Sequence, residues 1–282
     1  MSQKLVFSTK INQLVSVNAT QNIMKKNALI TGASSGIGKE LAYIHAEKGG
    51  DLILVARSED KLIQLKEELE TKYQTTTHII VKDLTSPNAA KEVYEEVKEA
   101  GLVVDYLINN AGFGGLGKFH ERELASDIAM IQLNIVALTA LTHFFLNDFV
   151  AKNSGKILNV SSTASLMAGP MQAVYFATKA YVTSFSNAIT EELKDTNITI
   201  TNLMPGATDT EFGKVSGMDK TALFEKTVSA RSVAEDGYEG MLAGKLDVIS
   251  GLTFSQKMMM SMIPITPKKV LLSQVMKMQT EV

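Results

Sequence analysis

Asn27 to Gly38 reads NALITGASSGIG. Ala28 to Thr31 is a short apolar run suited to a buried strand, and it empties into a turn punctuated by Gly32, Gly36 and Gly38. Beyond the turn, Ile37, Leu41, Ala42, Ile44 and His45 recur on one face of a helix. The glycines remove Cβ atoms where the backbone must turn tightly, approach a phosphate and let helix pack on strand. The helix aims its unpaired N–H groups and positive dipole end back at the turn, so an anion belongs there. The spacing is GxxxGxG rather than GxGxxG, and the Gly-Lys-Ser/Thr ending of a phosphate loop is missing. The alternative reading of the stretch taken alone is an ordinary glycine-rich connection between a strand and a helix.

Working outward, the same alternation repeats. Asp51 to Ala56 (DLILVA) is a continuous apolar run of the kind found in parallel strands covered on both faces, followed by a charged amphipathic helix from Ser58 to Tyr73 with Ser58 as its cap. His78 to Val81 is a third strand, and Ser86 to Ala100 a second charged helix with Ser86 as cap and Pro87 at its first position. Asp105 to Asn109, Lys156 to Val160 and Thr199 to Leu203 complete six strands, with long helices over Glu123 to Lys152 and Gln172 to Lys194 between them. This alternation predicts an α/β fold with a doubly wound parallel sheet flanked by helices. In such sheets ligands sit at the carboxyl ends of the strands. The residues after each strand, Gly32 to Gly38, Arg57, Asp83, Asn109 to Gly112, Ser161 to Ser162 and Pro205 to Thr210, should line one rim.

The composition fits one such domain. The chain has 282 residues, 45% hydrophobic and 21% charged, with a formal net charge of −2 and acids and lysines interspersed. That balance gives no footprint for nucleic acid. The absence of cysteine excludes disulfides and thiol nucleophiles. His45, His78, His120 and His143 stand far apart with no i, i+4 pair, so no metal is expected. The stretch from Ile128 to Leu146 approaches membrane-spanning length but carries Gln132, Asn134, Thr139, Thr142 and His143, which fits a buried helix rather than a span. Residues 1–23 read as a dispensable extension before a natural start at Met24. They lack a secretory apolar core, which leaves a cytoplasmic location as the expectation and organellar import as the alternative.

Tyr175 and Lys179 lie four apart at the start of a helix, so both project from one face. An ammonium beside a phenol favours the phenolate, which would make Tyr175 a usable general acid or base. Ser162, thirteen residues earlier at a strand exit, is placed for its hydroxyl to donate to a carbonyl oxygen held beside that phenol.

With these residues in view the chain closely resembles the short-chain dehydrogenase/reductase family. TGASSGIG (Thr31 to Gly38), NNAG (Asn109 to Gly112), Asn134, Ser162, YFATK (Tyr175 to Lys179) and PGATDT (Pro205 to Thr210) match its motifs in order and spacing over residues 25–250. The resemblance implies a Rossmann-type fold, NAD(P)-dependent carbonyl or alcohol chemistry, and a catalytic tetrad of Asn134, Ser162, Tyr175 and Lys179. Tyr175 would give or take the proton, Ser162 would stabilise the substrate oxygen, Lys179 would hold the nicotinamide ribose, and Asn134 would hold a water leading to Lys179. The cofactor would be bordered by Gly32, Ser34, Ser35, Gly36, Ile37 and Gly38, then by Arg57, Asp83, Leu84, Asn110, Ala111 and Gly112. Tyr175, Lys179, Pro205, Gly206, Thr208 and Thr210 would complete its site, with Asp83 at the adenine and Thr210 or Thr208 at the carboxamide. A homo-oligomer, dimer or tetramer, is implied by the same resemblance.

Cofactor choice can be read at the end of the second strand. An acid there holds the ribose of NAD, whereas this strand ends in Ala56-Arg57-Ser58, and a guanidinium suits the 2′-phosphate of NADP. NADP(H) is the expected cofactor, with Glu59 and Asp60 close enough to leave NAD(H) as the second candidate. The substrate loops are apolar: Phe113, Gly114, Leu116 and Phe119, then Leu166, Met167, Ala168, Pro170 and Met171. They favour a hydrophobic ketone, aldehyde or alcohol over a sugar or charged metabolite. A dinucleotide-binding regulator without activity is the competing reading, and the intact tetrad speaks against it.

Three segments result: an extension over residues 1–23, a catalytic domain over 24–251 and a C-terminal tail over 252–282. In the tail Phe254, Met258, Met259 and Met262 recur at helical spacing before Pro264. Val270, Leu271, Gln274, Val275 and Met278 form a second stripe after Pro267. Two short amphipathic helices should either cover the core or a subunit interface, close the substrate pocket, or touch a membrane surface with help from Lys257, Lys268, Lys269 and Lys277.

Overall fold

The computed structural model describes residues 25–280, so the expectations for the extension and for Met24 lie outside the described residues. In chain order the first half runs β1 (Asn27–Thr31), α1 (Gly36–Glu47), β2 (Asp51–Ala56), α2 (Glu59–Tyr73), β3 (Thr77–Val81), α3 (Ala89–Glu99) and β4 (Tyr106–Asn109). There follows one long helix made of α4 (Leu124–Ile131), a π-helical turn (Gln132–Ala137) and α5 (Leu138–Lys152). The rest comprises β5 (Gly155–Val160), α6 (Ala173–Glu192), β6 (Ile198–Pro205), the short pair β7 (Thr208–Asp209) and β8 (Val228–Ser229) with α7 (Glu211–Ser216) between them, α8 (Ala230–Leu242), β9 (Asp247–Ser250), α9 (Phe254–Ser261) and α10 (Lys268–Gln279).

Seven strands form one parallel sheet in the order β3-β2-β1-β4-β5-β6-β9, in a single Rossmann-type domain. Successive side chains of a strand face opposite ways, and the core divides accordingly. Ala28 and Ile30 of β1 join Leu52, Leu54, Leu41, Leu62 and Met241 on one face of the sheet. Leu29 joins Ile53, Val55, Val93, Leu141 and Phe145 on the other. Both faces are covered, which is why these strands read as unbroken apolar runs. The order reverses between β1 and β4, so their carboxyl ends open the crevice that holds the site.

One buried polar contact closes the far end of β1. His45 Nε2 lies 2.8 Å from the carbonyl oxygen of Lys26 and Nδ1 lies 2.7 Å from the hydroxyl of Tyr238 on α8. A carbonyl only accepts, so Nε2 carries the proton and Nδ1 accepts from the phenol. Burial holds the imidazole pKa below its ordinary value, in keeping with a neutral ring.

Four details differ from the sequence reading. The helix after β3 starts at Ala89, because Asn88 takes a left-handed conformation (φ 62°) at its N-cap and Ser86 and Pro87 belong to the preceding turn. Ser58 occupies the cap position of α2 but makes no capping bond. The seventh strand β9, bounded by Gly244 and Gly251 in left-handed conformations, carries only Val248 and Ile249 between Asp247 and Ser250, so it does not show as an apolar run. The tail forms its two helices around Pro264, yet α9 buries nothing and Phe254, Met258, Met259 and Met262 stay exposed, whereas α10 packs inward through Leu271, Val275 and Met278.

Candidate active site

The glycine turn is locked to the loop after β4. Thr31 Oγ1 accepts from the backbone N–H groups of Asn110 and Ala111, each at 3.0 Å, and Asn110 Nδ2 donates to the Thr31 carbonyl at 2.9 Å. Gly32 adopts φ +64°, and a Cβ on it would stand 2.9 Å from Ala111 Cα. A Cβ on Gly38 would lie 2.3 Å from the Gly32 carbonyl oxygen, so Gly38 serves the packing of α1 on β1 and does not line the cavity. Ser35 stands at the N-cap of α1 without a side-chain cap, and no acid occupies the first turn. The helix start presents N–H groups and positive potential to the cavity, a fit for a pyrophosphate, although the Glu211 carboxylate stands beside the Ser35 hydroxyl.

On the β2 side, Arg57 lines the same cavity and makes no ion pair among the described residues. Ser58, Lys61, Lys82 and Thr85 stand there too, none of them assigned from the sequence. Lys61 Nζ pairs with Glu211 at 3.0 Å. Burial would raise the Asp83 carboxyl, but bonds from Thr85 N at 2.9 Å and Thr85 Oγ1 at 2.8 Å, with the charge of Arg57, outweigh it and hold Asp83 below its ordinary value. A basic, hydrogen-bonding end of this kind suits a nucleotide carrying an extra phosphate.

The four tetrad positions come together at the β4, β5 and α6 rim. Asn134 lies in the π-helical turn, a deviation that recurs at functional sites. Its Oδ1 accepts from Phe113 N at 3.2 Å, and its Nδ2 donates to Phe113 O at 3.0 Å and to Thr178 Oγ1 at 3.1 Å. It is buried behind the loop and does not line the cavity. Ser162 Oγ, at the exit of β5, accepts from Ala164 N at 3.1 Å. Tyr175 and Lys179 sit one turn apart on α6, both buried and both lining the cavity.

Burial acts on both groups. Lys179 Nζ donates to the carbonyl of Val160 at 2.8 Å and lies 5.9 Å from the centroid of the Tyr175 ring. Burial pushes the Tyr175 phenol up to about 12, with the Ser162 hydroxyl pulling the other way. Burial lowers the Lys179 ammonium to about 8. Desolvation, rather than the pairing of the two groups, dominates both.

The remaining sequence candidates fall around one cavity of about 650 Å³. Gly32, Ser34, Ser35, Gly36, Ile37, Leu84, Asn110, Ala111, Gly112, Pro205, Gly206, Thr208 and Thr210 all line it. Thr208 Oγ1 donates to the Gly206 carbonyl at 2.9 Å, and Thr210 Oγ1 accepts from Phe212 N at 3.3 Å to cap α7. Of the expected substrate loops only Phe113 and Met167 line the cavity. Gly114, Leu116, Phe119, Leu166, Ala168, Pro170 and Met171 do not, and Phe119 points to solvent. Their places are taken by residues from later in the chain: Phe212, Met218 and Phe224, then Met259, Met260, Val275, Met278 and Gln279 of the tail. Gly114 approaches the tyrosine from the side, where a Cβ would come within 3.3 Å of Tyr175 Cδ2.

With this geometry in hand, likeness to known proteins is specific. Residues 26–220 match the family described as short chain dehydrogenase. An NADP-dependent 3-hydroxy acid dehydrogenase of Schizosaccharomyces pombe is 36% identical over 192 residues, covering 67% of this chain and 74% of the relative. Among solved structures, a short-chain dehydrogenase from Sphingobium yanoikuyae in complex with NADPH matches with a TM-score of 0.76 at 30% identity, over 83% of this chain and 91% of the other. The bulky-bulky ketone specific alcohol dehydrogenase from Comamonas testosteroni matches with a TM-score of 0.72 at 28% identity, over 83% and 89% of the two chains.

Proposed function

The chain belongs to the short-chain dehydrogenases, a family of oxidoreductases, and on that premise we propose that it reduces hydrophobic ketones and aldehydes with NADPH and oxidises the matching alcohols in reverse. The observation that carries this reading is a single cavity with two unlike ends. One end offers Arg57 and the start of α1 to a phosphorylated nucleotide, and the other offers Ser162 and Tyr175 within apolar walls. The NADPH-bound relative supports the first half, and the ketone-specific relative supports the second.

Bound in this cavity, NADPH would supply a hydride to the carbonyl carbon. The Ser162 hydroxyl would hold the carbonyl oxygen, and Tyr175, kept protonated by burial, would deliver its proton to that oxygen as negative charge develops. Lys179 supplies positive charge at the exit of β5. Asn134 acts as a positioning residue, since its two bonds to Phe113 fix the backbone that borders Gly112. The apolar side chains of Phe113, Met167, Phe212 and Val275 around the reacting end lower the local dielectric and strengthen these interactions.

The test is the decay of NADPH absorbance with a panel of aromatic and medium-chain ketones. Turnover with apolar ketones and none with sugars is the expected result. NADPH binding without turnover of any carbonyl compound would support the silent regulatory reading instead.

A further inference from the structure

The helix α9 is specified locally in a place where the core does not ask for one. Thr253 and Gln256 close a reciprocal cap, with Thr253 Oγ1 accepting from Gln256 N at 3.3 Å and Gln256 Oε1 accepting from Thr253 N at 2.9 Å. So short a helix is marginal in water without a packed face, yet no residue of α9 is buried. Phe254, Met258 and Met262, spaced by four, stand 80%, 62% and 51% exposed, and Ile265 in the joint after them is 71% exposed. Single exposed apolar residues are ordinary, but large ones crowded into one short segment mark a surface that something covers.

The opposite side of the helix belongs to the cavity. Gln256, Met259 and Met260, at i, i+3 and i+4, line it, and Met259 stays half exposed, so α9 stands at the cavity mouth.

The charge in this segment is of one sign. From 252 to 280 the chain carries Lys257, Lys268, Lys269 and Lys277 and no Asp or Glu. All four lysines are exposed, and none forms an ion pair among the described residues. Along α10, Lys269 shares its face with Leu272 and Met276, both exposed. Flexible methionines adapt to an irregular apolar surface rather than to one fixed knob. A second copy of the chain in a two-fold contact would set this positive patch against itself. Anionic headgroups neutralise it, and the acyl boundary beneath them takes up the apolar side chains.

We propose that α9 and the start of α10 dock on the surface of an anionic lipid bilayer. Phe254, Met258, Met262 and Ile265 enter the boundary below the headgroups, and Lys257, Lys268 and Lys269 lie among the headgroups. The cavity mouth is then held at the bilayer surface, where apolar ketones concentrate. That last consequence rests on the reductase reading given above, and the docking itself does not.

The test is cosedimentation of the full-length protein with vesicles of phosphatidylcholine alone and of phosphatidylcholine with about one third phosphatidylserine. The parent should partition at least about tenfold more strongly onto the anionic vesicles, and added salt should weaken that binding. Phe254→Ser/Met258→Ser removes two apolar anchors that do not line the cavity, and Lys268→Glu/Lys269→Glu reverses two charges. Each variant should lower the partitioning about tenfold or more while NADPH affinity stays unchanged. No binding to anionic vesicles, equal binding to both compositions, or binding unmoved by both variants overturns the inference. So does a loss of self-association in Phe254→Ser/Met258→Ser with no change on vesicles, which makes the face a contact between copies. Loss of turnover for a vesicle-borne long-chain ketone in the variants, with a water-soluble ketone unaffected, supports the placement of the cavity mouth. A parent that binds anionic vesicles and reduces no ketone supports the docking and sinks only the reductase reading.

Discussion

Lys179 donates its ammonium to the carbonyl of Val160 at 2.8 Å while standing 5.9 Å from the centroid of the Tyr175 ring. The lysine is thus tied to the exit of β5, and its charge is exposed to the cost of burial more than to the benefit of the phenol. The pair titrates in an unusual order, with the ammonium lowered to about 8 and the phenol raised to about 12.

The pH dependence follows from that order. Below about 8 the ammonium is charged, and above it the charge is lost, so kcat/KM for NADPH in carbonyl reduction should fall as pH rises through about 8. Tyr175, protonated up to about 12, adds no falling limb in the accessible range. A profile that stays flat to about pH 10 would show that Lys179 does not titrate where burial places it.

Tyr175→Phe should remain folded and bind NADPH while losing nearly all turnover, since the ring keeps its packing against Phe212 at 5.4 Å and only the transferable proton is gone. Activity within about threefold of the parent, under roughly 0.7 kcal/mol of barrier, would remove Tyr175 from the mechanism.

NADPH should be preferred over NADH by at least about tenfold in kcat/KM, the worth of one charge-assisted contact to the 2′-phosphate. Arg57→Ala should erase most of that preference. Equal use of both cofactors by the parent would refute the role of Arg57.

Thr31→Val tests the lock beneath the cofactor turn. Valine keeps the shape but removes the acceptor shared by Asn110 N and Ala111 N, which should cost about 1–3 kcal/mol and lower the Tm. NADPH affinity should fall with it, because the same loop borders Gly112. An unchanged Tm and Kd would show that water replaces the hydroxyl without loss.

The sequence exposes what is local and repeated. The alternation of short apolar-rich runs with helical stretches locates six of the seven sheet strands, and the residues that follow them do gather on one rim. Tyr175 and Lys179 are legible because helical spacing alone puts them on one face. What escapes is set by tertiary contact. Nothing in the neighbours of Thr31 marks its hydroxyl as the acceptor for a loop 79 residues away. The Val160 carbonyl that accepts from Lys179 escapes in the same way, since it comes from β5 and not from the helix that carries the lysine. The loops before Tyr175 are apolar in sequence, yet the cavity takes much of its apolar wall from α7 onward, where the stripe of Val275 and Met278 gives the signal and Gln279 gives none.

The contact between His45 and Tyr238 has a consequence for how the chain matures. The two residues are 193 positions apart, and the imidazole also accounts for the Lys26 carbonyl at the entrance to β1. During synthesis the first strand and helix can pair with β2 early, but the Nδ1 acceptor has no phenol until α8 has emerged. The buried end of α1 therefore gains its phenol partner only once nearly the whole catalytic segment is present, a contact whose long sequence separation favours late formation.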